Sequence, residues 1–162
     1  MRPKAADFKR LLTLLSEHRV EFIVVGGVAA VVHGAPITTF DLDVVPSLAP
    51  DNIVALEAAL RALDAVFRGH PDLRPEYTHL VSRGHKLLLT DAGPLDILGT
   101  IGEGEDYERL IAQTTLVPVW GHKLRVLNLD ALIRIKERLG RDKDRAVLAV
   151  LRRTQAELDK RE

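Results

Sequence analysis

The stretch 24–45 constrains this chain more than any other, because it sets two adjacent glycines ahead of two closely spaced aspartates. Gly26 and Gly27 end an apolar run that predicts a buried strand, and Asp41 and Asp43 lie in the next strand-like segment. Glycine permits a sharp turn and lets other groups approach the backbone closely. The stretch therefore predicts a strand, a tight turn, a short helix and a second strand, in that order.

The two aspartates predict a cation site. Side chains alternate along a strand, so Asp41 and Asp43 point to one face with their Cα atoms about 6.5 Å apart. Two carboxylates at that spacing suit one hard cation, or two cations roughly 3.5–4 Å apart. Mg²⁺ (or Mn²⁺) is the expected ion, because Mg²⁺ takes oxygen ligands and is commonly shared between carboxylates and substrate phosphates. The alternative is a solvent-facing strand that happens to read Asp-Leu-Asp.

The two glycines predict an anion site. A helix that follows Gly26 and Gly27 offers unpaired N–H groups and the positive end of its dipole to a phosphate. The pattern is neither a Walker A loop, since no Gly-Lys-Ser/Thr follows, nor a G-x-G-x-x-G fingerprint. A plain strand-to-helix turn is the alternative.

Together, the glycines and the segment 39–43 (Thr-Phe-Asp-Leu-Asp) resemble the signature of the nucleotidyltransferase superfamily that includes DNA polymerase beta. The resemblance implies that an NTP binds with its triphosphate over the glycines and beside Thr39, while Asp41 and Asp43 act as catalytic metal ligands. It further implies that a nucleoside monophosphate moves from the NTP to an acceptor hydroxyl and that pyrophosphate leaves.

The same resemblance implies a third acidic residue on a neighbouring strand. Asp96, within the segment 95–97 (Leu-Asp-Ile) on the second arm of a predicted hairpin, fits that position. By resemblance it is a catalytic residue and a third metal ligand that helps to deprotonate the acceptor hydroxyl. Asp91, in the turn of the hairpin, is the competing candidate.

The C-terminal part carries a second, independent resemblance. Residues 129–136, followed by Gly-Arg-Asp-Lys-Asp at 140–144, are similar to the C-terminal pattern of the AbiEii-like, toxin-type nucleotidyltransferases. This similarity implies that Lys136, Arg141 and Lys143 steady the phosphates of the nucleotide.

Helical spacing, independently of the resemblance, places Lys136 in an unusual position for a lysine. At 100° per residue it lies among Leu132, Ile135 and Leu139, on the apolar side of its helix. A lysine there needs an anionic partner, and a triphosphate or one of the strand aspartates is expected to supply one. The alternative is that Lys136 extends past Leu132 to reach solvent.

Periodicity along the remaining chain predicts an α/β (α+β) fold with a nucleotidyltransferase-like mixed β-sheet, flanking helices and a short C-terminal helical tail. We expect a core over residues 1–126 and a helical extension over residues 127–162, packed as a single structural domain. The predicted helices are 5–18, 28–33, 51–63, 106–113, 130–139 and one from 144. The predicted strands are 21–25, 40–45, 86–90, 95–98 and strand material over 117–126, with residues 68–85 mostly loop.

Composition excludes several classes of protein. The chain has no cysteine, which excludes disulfides, thiolate zinc sites and cysteine nucleophiles. No apolar run approaches the roughly 20 residues of a membrane span, and residues 1–10 lack the apolar core of a secretory signal, so a cytoplasmic location is expected. The net charge is zero, yet residues 123–162 hold 12 Lys and Arg against 7 Asp and Glu. A basic tail is compatible with a nucleic-acid partner and equally with a solvated helix face.

These sequence patterns are compatible with several acceptors of the nucleoside monophosphate. The toxin-type resemblance implies an RNA end, such as that of tRNA, or a protein, with a cognate antitoxin as a further partner. A small hydroxylated molecule, as in antibiotic-modifying nucleotidyltransferases, is the first alternative. The second is a module of the same fold that binds nucleotide without catalysis.

Overall fold

The computed structural model describes residues 2–161, which build one seven-stranded mixed sheet flanked by helices. The strands are β1 (Phe22–Val25), β2 (Leu42–Pro46), β3 (Val66–Phe67), β4 (His85–Thr90), β5 (Gly93–Leu98), β6 (Thr114–Val119) and β7 (His122–Leu127). The helices are α1 (Phe8–Glu17), α2 (Gly26–Val32), α3 (Pro50–Ala62), α4 (Tyr77–Leu80), α5 (Tyr107–Leu110), α6 (Leu129–Leu139) and α7 (Asp142–Asp159), with a 3₁₀ turn at Ile111–Gln113.

The sheet order is β3-β4-β5-β2-β1-β7-β6. The central pair β1 and β2 is antiparallel, while β2 runs parallel to β5 and β1 parallel to β7. The hairpins β4–β5 and β6–β7 supply the antiparallel outer pairs. The predicted mixed α/β fold class is therefore confirmed.

The core forms where apolar periodicity predicted it. All four side chains of β1 are buried, and α1 buries Leu11, Leu12 and Leu15. Asp7 fixes the start of α1, because its side chain accepts a hydrogen bond from the Arg10 N–H at 3.1 Å. Leu132 of α6 belongs to the same buried cluster as β1.

The hairpin β4–β5 is tighter than predicted. Its turn consists of Asp91 and Ala92 alone, since Gly93 pairs with Thr90 and already belongs to β5. Gly93 has a φ of 95°, and a Cβ there would lie 2.5 Å from the Ala5 carbonyl oxygen, so glycine is required.

Three further boundaries differ from the predictions. Helix α2 begins at Gly26 rather than at position 28, so both glycines are helical. Strand β2 begins at Leu42, because the Phe40 carbonyl accepts a hydrogen bond from the Ala6 N–H at 2.8 Å. The segment 68–85 contains α4, whose first turn is closed by reciprocal side-chain bonds between Glu76 and His79.

Within residues 2–161, every helix is too short or too polar to span a bilayer.

Candidate active site

Asp43 of β2 and Asp96 of β5 are register partners on neighbouring parallel strands. Paired residues of adjacent strands point to the same face, about 4.8 Å apart along the hydrogen-bonding direction. Asp41 directly precedes β2 and lies close enough for its charge to act on both carboxylates. The structure therefore brings together the three acidic residues predicted from the sequence.

Their proximity is electrostatically costly. Burial, together with repulsion by Asp96 and Asp41, raises the pKa of Asp43 to about 7. Burial also raises the pKa of Asp96, against the opposing attraction of the Arg68 guanidinium. A cation stabilises like charges that are held close together out of water. A divalent ion bound at these carboxylates would have this effect.

The carboxylates are not arranged as a closed metal cage. In the part of the chain that the structure describes, no three His, Cys, Asp or Glu side chains gather into a group that could hold an ion. Asp96 is instead bound to Arg68, whose Nη2 donates to Asp96 Oδ1 at 2.8 Å. The geometry is a close carboxylate pair, Asp43 and Asp96, with Asp41 nearby and with Asp96 also bonded to an arginine.

The two glycines make room for the site's own side chains. A Cβ on Gly26 would stand 2.4 Å from Asp43 Oδ2, and one on Gly27 would stand 2.7 Å from the Thr39 hydroxyl oxygen. Gly26 also has a φ of 64°, which favours glycine. Thr39 donates to the Asp41 carbonyl at 3.2 Å, so it fixes the backbone that carries the first aspartate.

A cleft of about 270 Å³ opens beside these residues. Gly26 and Asp43 lie on one wall, and Lys136 and Arg141 lie on the wall formed by α6 and the turn that follows it. His85, at the start of β4, lines the cleft as well. The carboxylate of Asp43 and the cationic side chains of Lys136 and Arg141 thus line a common space.

The two cations of the cleft share one partner, Asp144. Arg141 donates from Nε to Asp144 Oδ2 at 2.6 Å, and Lys136 Nζ lies 3.3 Å from Asp144 Oδ1. Asp144 is 1% exposed, and the Arg141 hydrogen bond, with a further contribution from Lys136, lowers its pKa to about 2. The direct anionic partner of Lys136 is therefore Asp144 on a helix, and not one of the strand aspartates as predicted, although the attraction of Lys136 also lowers the pKa of Asp43.

Sequence reasoning missed the roles of Arg68 and Asp144. Arg68 lies in a segment without apolar periodicity, and no sequence signal links it to Asp96. Asp144 had a signal, because it ends the Gly-Arg-Asp-Lys-Asp turn eight positions after Lys136.

Of the predicted residues, Gly27, Thr39, Asp41 and Asp96 adjoin the cleft without lining it, and Lys143 and Asp91 do not line it either. Lys143 is exposed on α7 and is absent from the cleft lining, so its phosphate contact stays a prediction. Asp91, the competing third acid, pairs with Arg10 at 2.9 Å in the hairpin turn and lies outside the carboxylate group.

Comparison with known proteins identifies the fold. No known protein-family profile matches the chain, and no curated protein matches it. Among solved structures it is similar to a proposed nucleotidyltransferase from Thermotoga maritima, with a TM-score of 0.57 and 18% identity over 90% of this chain and 94% of that one. It is also similar to the antibiotic-resistance factor ANT(2'')-Ia, with a TM-score of 0.51 and 16% identity over 95% and 94% of the two chains.

These similarities define the chain as a protein of nucleotidyltransferase-like fold. They support the predicted superfamily resemblance at the level of the fold. The narrower resemblance to AbiEii-like proteins stays a prediction.

Proposed function

We propose that this chain is a metal-dependent nucleotidyltransferase, which transfers a nucleoside monophosphate from an NTP to an acceptor hydroxyl and releases pyrophosphate. One observation carries the proposal: Asp43 lines a cleft together with Lys136 and Arg141, and its register partner Asp96 and the nearby Asp41 lie beside it. Carboxylates and cations on opposite walls are what a metal-bound triphosphate requires.

The donor set fits Mg²⁺ or Mn²⁺. All donors are carboxylate oxygens, and burial together with mutual repulsion makes an added cation favourable at Asp43. Asp41 and Asp43 would hold the ion, with Asp96 adjacent. When bound, the ion supplies charge neutralisation on the phosphate oxygens.

The cationic wall is preorganised for the phosphates. Asp144 holds Lys136 and Arg141 in place, so little side-chain entropy is lost when the triphosphate binds. Gly26, the first residue of α2, lines the same space. The triphosphate would therefore lie over the glycines, between the carboxylates and the two cations.

Asp96 is the proposed proton acceptor. Burial makes its carboxylate more basic than an ordinary aspartate, which suits a group that takes a proton from an acceptor hydroxyl. The acceptor oxygen forms a bond to the α-phosphorus as the bond from that phosphorus to the bridging oxygen breaks. The hydroxyl proton passes to Asp96, and the electron pair of the broken bond leaves with pyrophosphate.

The first acceptor to test is RNA, in particular a tRNA end, and the next is a protein. With either acceptor, the chain would act as a toxin that is paired with a cognate antitoxin. The basic tail supports RNA, because 12 of the 23 Lys and Arg residues lie in positions 123–162. A small hydroxylated molecule is the second candidate, and the fold similarity to the antibiotic-resistance factor ANT(2'')-Ia favours it. Transfer to RNA should fall steeply with salt, whereas transfer to a small molecule should not.

The test is label transfer from α-labelled NTPs, with Mg²⁺ and either bulk tRNA, cell protein or a panel of hydroxylated antibiotics. Asp43→Asn should abolish transfer. Asp91→Asn is the matched control, because Asp91 lies outside the site and pairs with Arg10; it should transfer at the wild-type rate. Transfer that survives Asp43→Asn would refute the site, and nucleotide binding without pyrophosphate release would support the non-catalytic alternative.

A further inference from the structure

Arg68 is the one basic residue bonded directly to any of the three site carboxylates among residues 2–161. It directly follows the two-residue strand β3 and reaches across β4 to Asp96 on β5. Its Nη2 also lies 3.3 Å from the Leu88 carbonyl oxygen, which fixes the guanidinium over the sheet. The side chains of Arg68 and Asp96 are 34% and 13% exposed, so the ion pair is largely shielded from water.

We propose that Arg68 is a positioning residue for Asp96, holding one carboxylate oxygen so that only the other is offered to the metal ion and the acceptor hydroxyl. This inference rests on the proposed function and assigns a role that the sequence patterns left out. Arg68 acts through Asp96 and touches neither the nucleotide nor the acceptor.

The geometry of the Asp96 carboxylate favours this role. Arg68 holds Oδ1 of Asp96, and the same carboxylate also lies within hydrogen-bonding distance of the Asp43 carboxyl group. A carboxylate with one oxygen fixed cannot turn to bind an ion with both oxygens, and outer hydrogen bonds of this kind orient carboxylates near metal ions.

The charge of the site favours it as well. Three carboxylates on one patch would bind a cation strongly and without discrimination between useful and unproductive positions. The Arg68 guanidinium offsets one of the three charges, at the carboxylate that the mechanism needs for the acceptor hydroxyl. Removal of this cation should therefore tighten ion binding while it slows transfer, a combination that a purely structural ion pair does not produce.

The experiment compares Arg68→Gln and Arg68→Lys with wild type. Arg74→Gln is the matched control, because Arg74 forms a comparable ion pair with Asp64 at 2.7 Å on the surface. Four quantities are measured: the Mn²⁺ dissociation constant by electron paramagnetic resonance without nucleotide, kcat, KM for the NTP, and Tm.

Arg68→Gln should bind Mn²⁺ at least threefold more tightly, because Asp96 gains a second available oxygen and the local negative charge rises. Its kcat should fall at least tenfold with KM for the NTP within threefold, because Asp96 loses its orientation. Arg68→Lys keeps the charge, so its Mn²⁺ affinity should match wild type and its kcat should recover in part. Arg74→Gln should leave the Mn²⁺ affinity and kcat unchanged.

Two results would overturn the inference. The first is Mn²⁺ affinity in Arg68→Gln equal to or weaker than wild type. The second is a kcat of Arg68→Gln that does not fall more than the kcat of Arg74→Gln, relative to wild type. The Mn²⁺ measurement needs no turnover, so it tests Arg68 even if no acceptor is found. Failure of the proposed function would show instead as wild-type protein that binds Mn²⁺ and NTP yet releases no pyrophosphate with any acceptor.

Discussion

Gly26 leaves the space that the Asp43 carboxylate fills, since a Cβ at position 26 would lie 2.4 Å from Asp43 Oδ2. The glycine and the aspartate are therefore one structural unit, although 17 positions separate them in the sequence. The contact aligns the start of α2 with the carboxylate pair. Position 26 therefore requires a glycine for the packing of the Asp43 carboxylate, whether or not a phosphate binds there.

Gly26→Ala should lower the free energy of unfolding by about 2–4 kcal/mol, from the left-handed backbone and the clash with Asp43 together. Gly34→Ala is the matched control, because Gly34 has a φ of 98° and a Cβ there would meet no atom within 4 Å. That variant should lose only the backbone part, about 1–2 kcal/mol. Urea unfolding measures both, and equal losses would contradict the close approach of Gly26 to Asp43.

Asp144→Asn should destabilise the protein at neutral pH by about 2–3 kcal/mol, because Arg141 and Lys136 lose a buried anionic partner. The folded-state pKa of Asp144 lies at about 2, below its ordinary value of 3.8. Its contribution is therefore complete above about pH 4 and is lost as the pH falls toward 2.

Thermal unfolding between pH 7 and pH 2 checks this prediction. The difference in Tm between wild type and Asp144→Asn should be constant above about pH 4 and should shrink toward pH 2. Asp142→Asn is the matched control, because Asp142 is fully exposed and its Oδ1 lies 3.6 Å from Arg145 Nη1. This variant should have the wild-type Tm at every pH. A gap that stays constant down to pH 2 would contradict the depressed pKa of Asp144.

Mg²⁺ should stabilise the wild-type protein without any nucleotide. An ion that binds only the folded chain adds about 2.7 kcal/mol at one hundred times its dissociation constant, which corresponds to roughly 5–10 °C in Tm. Asp43→Asn should abolish the rise, and EDTA should reverse it in wild type. Asp91→Asn should keep the full rise, and an equal rise in Asp43→Asn would place the ion elsewhere.

Local sequence patterns predicted the carboxylates of the site in part, because Asp43 lies in β2 as expected whereas Asp41 directly precedes that strand. Asp41 and Asp43 are two positions apart, so strand alternation alone predicts that they share a face. Asp96 came from the resemblance, and the parallel pairing of β2 with β5 brings it opposite Asp43. The helix end at Gly140 followed from glycine chemistry, and its φ of 62° agrees.

The features that sequence reasoning missed depend on tertiary contacts. Arg68 meets Asp96 only because β3 pairs with β4 and β4 with β5, and a two-residue strand leaves no periodic signal. Helix α4 has four residues and is capped by Glu76 and His79, a pair that differs from the usual Ser/Thr and Glu combination. Gly26 and Gly27 were predicted as a turn before a helix at position 28, whereas α2 begins at Gly26 itself, with a left-handed φ of 64°.

The most direct measurement is the position of Mn²⁺ in crystals of the protein grown with a non-hydrolysable NTP analogue. We predict an anomalous peak at coordination distance, about 2.1–2.2 Å, from carboxylate oxygens of Asp41 and Asp43, with the triphosphate extending toward Lys136 and Arg141. A peak elsewhere, or an analogue bound with its phosphates away from Gly26, would contradict the assignment of this cleft as a nucleotidyltransferase site.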